Sequence, residues 1–126
     1  EKLLSQVDLF VEENNLEINQ YDLMGFSQGA VLAYALALLH PHKIGKIAAL
    51  AGFLPQFWKD HLDGNTLQGK SFFIAHGTQD EIVPLEKARS AAIWLEQNSA
   101  QVTFCTAETG HKLSSNCFPG LRDFLK

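Results

Sequence analysis

The sequence has few cysteines, no basic run and no long apolar run, and each shortage excludes a class of protein. Two cysteines in 126 residues do not make a disulfide scaffold, so a reducing compartment, the cytoplasm, is expected. We predict that Cys105 is a core residue of a strand, and Cys117 has no neighbouring base to activate its thiol. Ten basic against fourteen acidic residues give a net charge of −4, which argues against nucleic acid or an anionic membrane surface as a partner. The longest apolar run, Ala30–Leu39, has about ten residues, whereas a transmembrane helix needs about twenty.

The remaining composition, 46% apolar and 19% charged, is that of a globular domain with its own core. Strand-like and helix-like segments alternate along the chain, and the strands are nearly continuous apolar runs. This pattern predicts one α/β domain over residues 1–126, with a parallel sheet covered by helices on both faces. The predicted strands are Tyr21–Met24, Ile44–Leu50, Ser71–Ala75 and Val102–Thr106, and the predicted helices are Glu1–Asn14, Gln28–Leu39, Leu85–Asn98 and Phe118–Lys126.

The first chemical motif is G-x-S-x-G, formed by Gly25, Ser27 and Gly29 between a predicted strand and a predicted helix. In this context the serine stands at the apex of a sharp, strained turn, and its hydroxyl points away from the sheet. We expect a side chain at either glycine position to clash within the turn. The backbone N–H of Gln28, at the start of the helix, is placed to stabilise an oxyanion.

A serine nucleophile needs a base, and the base needs a carboxylate that orients it. Asp80 follows the third predicted strand and His111 follows the fourth, so both lie at the same end of the sheet as Ser27. The order serine, acid, histidine is the order of this architecture. Glu81 adjoins Asp80 and remains a competing acid.

The other histidines have alternative interpretations. His76 ends a strand, where local hydrogen bonding near the site is favoured over a role as base. His61 lies in the long segment 53–69, which we predict to be a loop with a short helix near the mouth of the site, and it faces either solvent or substrate. His40 and His42 lie at the opposite end of the sheet without a third ligand, so no metal site is expected.

Several apolar residues lie close to the predicted site. Phe26 is part of the serine motif, and Phe53, Leu54 and Trp58 follow the second strand. They either pack in the core or form an apolar wall for an acyl group, and the sequence leaves both possibilities open.

Three segments together resemble a known family. GFSQG at 25–29, HGTQDEIVP at 76–84 and GH at 110–111 are similar to the signature stretches of the α/β-hydrolase fold. More narrowly they resemble the phospholipase/carboxylesterase family, which includes the acyl-protein thioesterases. The resemblance implies hydrolysis of small-molecule esters or thioesters, lipids or acylated proteins through an acyl-enzyme, without metal or cofactor. It also implies that Ser27 is the nucleophile, Asp80 the acid, His111 the base and the Gln28 N–H an oxyanion donor.

The sequence departs from the family pattern in two places. Ala30 stands where many members have a further glycine, a small change that we expect to have little effect. The family's second oxyanion donor comes from a loop after an earlier strand, which the residues before Tyr21 do not provide. We therefore expect the chain to be the C-terminal part of a larger domain, with its first strand at an exposed edge. A serine peptidase on the same fold, and a catalytically impaired or non-catalytic binding module, remain as alternatives.

Overall fold

The structure is a computed structural model that describes residues 20–60 and 67–126. Within these ranges strands and helices alternate, as the apolar runs predict. The elements are the strands β1 (Tyr21–Phe26), β2 (Ile44–Leu50), β3 (Ser71–Gly77) and β4 (Gln101–Ala107), and the helices α1 (Gln28–Leu39), α2 (Gln56–Asp60), α3 (Leu85–Gln97) and α4 (Phe118–Leu125). A 3₁₀ turn, Ser115–Cys117, precedes α4. The predicted helix Glu1–Asn14 lies outside the described residues.

The four strands of the described ranges form a parallel sheet in the order β1-β2-β3-β4, which confirms the predicted fold class. Phe26 pairs with Leu50, Leu50 with Ala75, and Ala75 with Cys105. These residues form one row across the sheet, so the segments that follow them leave at a common edge, which we call the carboxyl edge. In an open parallel sheet this is where ligands bind.

Helices cover both faces of the sheet. Successive residues of a strand point to opposite faces, so neighbouring side chains contact different helices. Phe72 is fully buried and stacks on Tyr34 of α1, with ring centroids 6.0 Å apart. Phe73 is equally buried and meets Phe124 of α4 at 5.7 Å. The central strand β3 is therefore apolar along most of its length, as predicted for a strand between two layers of helices.

Helix α1 begins and ends where the sequence predicts. Alanine and leucine, which have strong helix propensity, fill most of its length, and Pro41 prevents its continuation. Its last turn closes with a hydrogen bond from the His40 N–H to the Leu36 carbonyl. No helix of the described ranges, including this apolar one, has the length and hydropathy of a membrane-spanning segment.

Among the described strands, β1 lies at one edge of the sheet. Met24 of this strand is 60% exposed, and Leu32 of α1 is 50% exposed.

The expectation of reduced cysteines is wrong, although Cys105 does pack against the core as predicted. Cys105 and Cys117 form a disulfide, with their Cα atoms 6.0 Å apart, a normal separation for such a bond. The residues are 12 positions apart, and the chain between them folds back so that the 3₁₀ turn lies against the end of β4. Spacing in the sequence does not show this return, and the low cysteine count by itself predicts a reducing compartment.

Two strands, β1 and β3, end two residues later than predicted. β3 continues through His76 and Gly77, two residues past its predicted end, because both still pair with β4. The segment 53–69 does contain a short helix, α2, and residues 61–66 lie outside the described part of the chain.

Candidate active site

The turn between β1 and α1 holds Ser27 at the carboxyl edge of the sheet. Ser27 has a φ of 58°, a left-handed conformation that serine rarely adopts, and this is the strained apex that the motif predicts. Its N–H donates to the Leu50 carbonyl at 2.8 Å. The turn is thereby fixed to the end of β2.

The two glycines of the motif are not equivalent, and the expectation of a clash at both is wrong for Gly29. A Cβ at Gly25 would lie 2.1 Å from the Gly29 carbonyl oxygen, which no real Cβ contact allows. A Cβ at Gly29 would meet nothing within 4 Å, because this residue lies on the exposed side of the first turn of α1. Only Gly25 is required by the close approach of the backbone.

Ala30 and Gly52 share a small space beneath the turn. Ala30 is fully buried, and a Cβ at Gly52 would lie 2.4 Å from the Ala30 Cβ. The Ala30 methyl group fits because Gly52 has none. This agrees with the expectation that alanine at position 30 disturbs the turn little.

Asp80 lies in the loop after β3 with a side chain that is completely buried. Its Oδ1 accepts hydrogen bonds from the N–H groups of Val83 at 2.8 Å and Ile82 at 2.9 Å, and its Oδ2 accepts from His111. Burial by itself would raise the pKa of Asp80, but these hydrogen bonds outweigh burial and lower the pKa below its ordinary value. The carboxylate therefore stays ionised at neutral pH, although it is shielded from water.

His111 connects the buried carboxylate to the serine. Its Nδ1 is 2.7 Å from Asp80 Oδ2, and its Nε2 is 2.9 Å from Ser27 Oγ. Because a carboxylate can only accept, Nδ1 carries the proton and Nε2 is free to accept from the hydroxyl. The three residues predicted from the sequence thus lie in one hydrogen-bonded line.

The position of the His111 loop depends on Gly77. A Cβ at Gly77 would lie 2.2 Å from the Thr109 carbonyl oxygen and 2.3 Å from that of Gly110. The backbone of the loop therefore rests directly on the end of β3. The ring of Phe26 lies on another side of His111, with centroids 5.1 Å apart.

The competing candidates occupy other positions. Glu81 is exposed, whereas Asp80 beside it is buried and holds the histidine. His76 is buried next to the Asp80 loop, and His40 and His42 lie at the opposite end of the sheet. His61 lies outside the described residues. Within the described ranges no group of three or more His, Cys, Asp or Glu residues could hold a metal ion.

Gln28 is the first residue of α1, directly after Ser27. The first N–H groups of a helix have no partner within the helix, and the helix dipole makes this end favourable for negative charge. The Gln28 N–H therefore lies at the start of a helix, where the sequence places it.

The four apolar residues expected near the site divide into two pairs. Leu54 is buried in the core between the sheet and α1, and Trp58 packs against the same core, so neither forms an open wall. Phe26 is 43% exposed beside His111, and Phe53 is 37% exposed. Phe53 and Phe26 are the two that can face a substrate.

Phe53 lines a surface cleft of about 200 Å³ together with four residues to which the sequence assigned no site role. Three of the four belong to the signature stretch 76–84, and this position shortly after the acid is the signal that the sequence offers. These residues are Ile82, Val83, Pro84 and Lys87.

Comparison with known proteins supports the resemblance. The sequence profile of the phospholipase/carboxylesterase family matches residues 4–126. The acyl-protein thioesterase 1 of Saccharomyces cerevisiae is 39% identical over 75 residues, which are 58% of this chain and 33% of that protein. The acyl-protein thioesterase 1 of Kluyveromyces lactis is 32% identical over 100 residues, 75% of this chain and 43% of that protein. The matches thus span less than half of these curated relatives.

Solved structures share the fold. The carboxylesterase of Bacillus cereus superposes with a TM-score of 0.81 at 25% identity, over 92% of this chain and 53% of that one. SOBER1 of Arabidopsis thaliana superposes with a TM-score of 0.79 at 22% identity, over 98% of this chain and 60% of that one. The described part of this chain therefore has the fold of a little over half of each of these two proteins.

Proposed function

This chain belongs to the phospholipase/carboxylesterase family, and we propose that it is a serine hydrolase that cleaves carboxylic esters or thioesters. One observation carries the proposal: the hydrogen-bonded line from Asp80 through His111 to Ser27. A hydroxyl is a weak nucleophile, and an adjacent base with an oriented tautomer makes it reactive.

In the proposed reaction Ser27 Oγ attacks the substrate carbonyl carbon, and its proton passes to Nε2 of His111. The imidazolium that forms is stabilised by Asp80 at Nδ1. His111 then gives the proton to the departing alcohol or thiol, which leaves an acyl-enzyme on Ser27. Water attacks this ester while His111 takes its proton, the bond between Ser27 Oγ and the acyl carbon breaks, and His111 returns the proton to Ser27 Oγ as the carboxylic acid leaves.

The charge of Asp80 supports this assignment of roles. Its pKa is lowered by the N–H groups of Val83 and Ile82 and by His111 against the effect of burial. It is therefore a carboxylate when His111 becomes positively charged, and little water is present to weaken their attraction.

We assign the Gln28 N–H as one donor to the oxyanion of the tetrahedral intermediate. Its support is its place at the start of α1, one residue after Ser27. Removing one such donor typically costs on the order of a hundred- to a thousandfold in rate.

The proposed substrates are small-molecule esters or thioesters, lipids or acylated proteins. The exposed face of Phe26 supports an apolar acyl group, because it offers apolar contact beside His111. Phe53 offers a further exposed apolar face in the cleft that it shares with Val83. The names of the yeast relatives, acyl-protein thioesterases, support the same class. The proposed steps use no metal or cofactor.

A cytoplasmic location stays a prediction. It was expected from the low cysteine count, and the disulfide between Cys105 and Cys117 removes that support. Disulfides persist mainly in oxidising compartments.

Labelling with a fluorophosphonate probe tests the proposal. We expect covalent labelling of the wild type at one residue, its loss in Ser27→Ala, and unchanged labelling in Ser90→Ala, an exposed serine of α3 that serves as the control. Labelling that survives Ser27→Ala contradicts the assignment of the nucleophile. Assays with p-nitrophenyl acyl esters, acyl thioesters and peptide anilides then separate esterase, thioesterase and peptidase activity, and a folded protein inert to all of them would favour a non-catalytic binding module.

A further inference from the structure

His76 is a buried histidine that the proposed reaction does not use. Its side chain, like that of Asp80, has no exposed surface. Nε2 lies 2.6 Å from the Val83 carbonyl oxygen, and Nδ1 has no hydrogen-bond partner among residues 20–60 and 67–126. A buried polar atom without a partner lowers the stability of the folded state, so a histidine at this position needs a compensating role.

The contacts fix the tautomer. A carbonyl oxygen can only accept, so Nε2 of His76 carries the proton and donates to Val83. Nδ1 is then an unprotonated nitrogen. A proton there would be a second buried donor without an acceptor, which adds to the cost. The geometry therefore fits a neutral imidazole whose one strong hydrogen bond is to Val83.

Val83 connects this histidine to the proposed acid. The Val83 N–H donates to Asp80 Oδ1 at 2.8 Å, while its carbonyl accepts from His76. Val83 therefore binds the Asp80 carboxylate through its N–H and is itself bound by His76 through its carbonyl. His76 Nε2 also lies 3.5 Å from Asp80 Oδ2, the oxygen that contacts His111.

We propose that His76 is a positioning residue: its Nε2–H fixes the Asp80 loop at Val83 and thereby aligns the carboxylate with His111. The proposal rests on the proposed function, since alignment matters only if His111 moves a proton. An apolar residue of similar size would fill the space without leaving Nδ1 unpartnered, but it could not hold the Val83 carbonyl. The hydrogen bond from Nε2, rather than packing, is therefore the reason for a histidine at this position.

Two substitutions separate the hydrogen bond from packing. His76→Leu fills the space and removes the donor, whereas His76→Gln places a side-chain N–H₂ group at about the reach of Nε2. His42→Leu, at an exposed histidine at the opposite end of the sheet, is the control. For the rate of fluorophosphonate labelling we expect a loss on the order of ten- to a hundredfold in His76→Leu, since small misplacement of reacting groups costs this much. His76→Gln should recover most of it, and His42→Leu should match the wild type.

A second readout does not need activity. The proton between His111 Nδ1 and Asp80 should give a low-field proton NMR signal in the wild type and in His76→Gln, and the signal should vanish or shift in His76→Leu. Imidazole nitrogen shifts of the wild type should report the Nε2–H tautomer of His76. A mere space-filling role would leave the signal unchanged in His76→Leu.

The outcomes distinguish the two proposals. If the wild type labels normally and His76→Leu keeps both its rate and its low-field signal, the positioning role is wrong. If neither the wild type nor any variant labels, the proposed function fails, and the NMR signals alone test the role of His76. Loss of the low-field signal in His76→Leu, with its retention in His76→Gln, then supports the positioning role. If His76→Leu does not fold, an Nδ1–H tautomer in the wild type, or loss of the signal in a folded His76→Gln, overturns the proposal.

Discussion

Replacing Gly25 with alanine tests the geometry of the serine turn, and the same motif supplies the control. The new methyl group would lie 2.1 Å from the Gly29 carbonyl oxygen and 2.7 Å from the Ala30 nitrogen, whereas ordinary contact begins at 3.4 Å. The turn must therefore open by more than 1 Å against backbone atoms, which have no alternative rotamer. Overpacking in a tight site typically costs about 1–3 kcal/mol, and we expect Gly25→Ala to lie at the upper end, about 3 kcal/mol.

The control, Gly29→Ala, places the same methyl group where nothing lies within 4 Å. Because alanine is favoured over glycine in a helix by up to about 1 kcal/mol, we expect this variant to be as stable as the wild type or slightly more so. Urea unfolding followed by tryptophan fluorescence measures both changes. A free energy of unfolding for Gly25→Ala within about 1 kcal/mol of the wild type, or an equal loss in both variants, would refute the argument from close backbone approach.

Two further predictions concern groups around the site. Reduction of the Cys105–Cys117 disulfide, which closes a loop with a sequence separation of 12, should lower the free energy of unfolding by about 3 kcal/mol; a urea midpoint that is the same with and without dithiothreitol would contradict this. The lowered pKa of Asp80 stabilises the folded state above the unfolded value of about 3.9, and this contribution is lost as the pH falls through the folded pKa. The stability difference between wild type and Asp80→Asn should therefore shrink below about pH 4, and a difference independent of pH would count against the hydrogen-bonded carboxylate.

The sequence was sufficient for the features that depend on neighbouring residues. The alternation of strands and helices along the chain can be recognised from local apolar patterns. This alternation predicts the parallel sheet that the structure has. Once the sheet is parallel, Ser27, Asp80 and His111 must all leave at the carboxyl edge, because each follows a strand. Their placement at one edge thus follows from order along the chain, whereas their hydrogen-bond distances depend on how the loops pack, as the close approach of the His111 loop to Gly77 illustrates.

The features that the sequence did not show depend on contacts between distant segments. The disulfide requires that the chain after β4 turns back on the sheet, and no spacing rule for Cys105 and Cys117 contains that return. Likewise Gly25 and Gly29 look alike in the motif, but only one of them meets another part of the backbone. Leu54 and Phe53 are adjacent apolar residues, and the core, not their identity, decides that one is buried and the other exposed.

The shared space of Ala30 and Gly52 has a consequence for how this turn can change over evolutionary time. The space between the two positions holds one methyl group, and in this protein that group is the side chain of Ala30. A methyl group at position 52 requires glycine at position 30, since two methyl groups together would collide, and it also requires a small shift of the Ser27 carbonyl oxygen, which would lie 3.1 Å away. The two sites are therefore epistatic, and the residue found at one of them restricts which replacements selection can accept at the other.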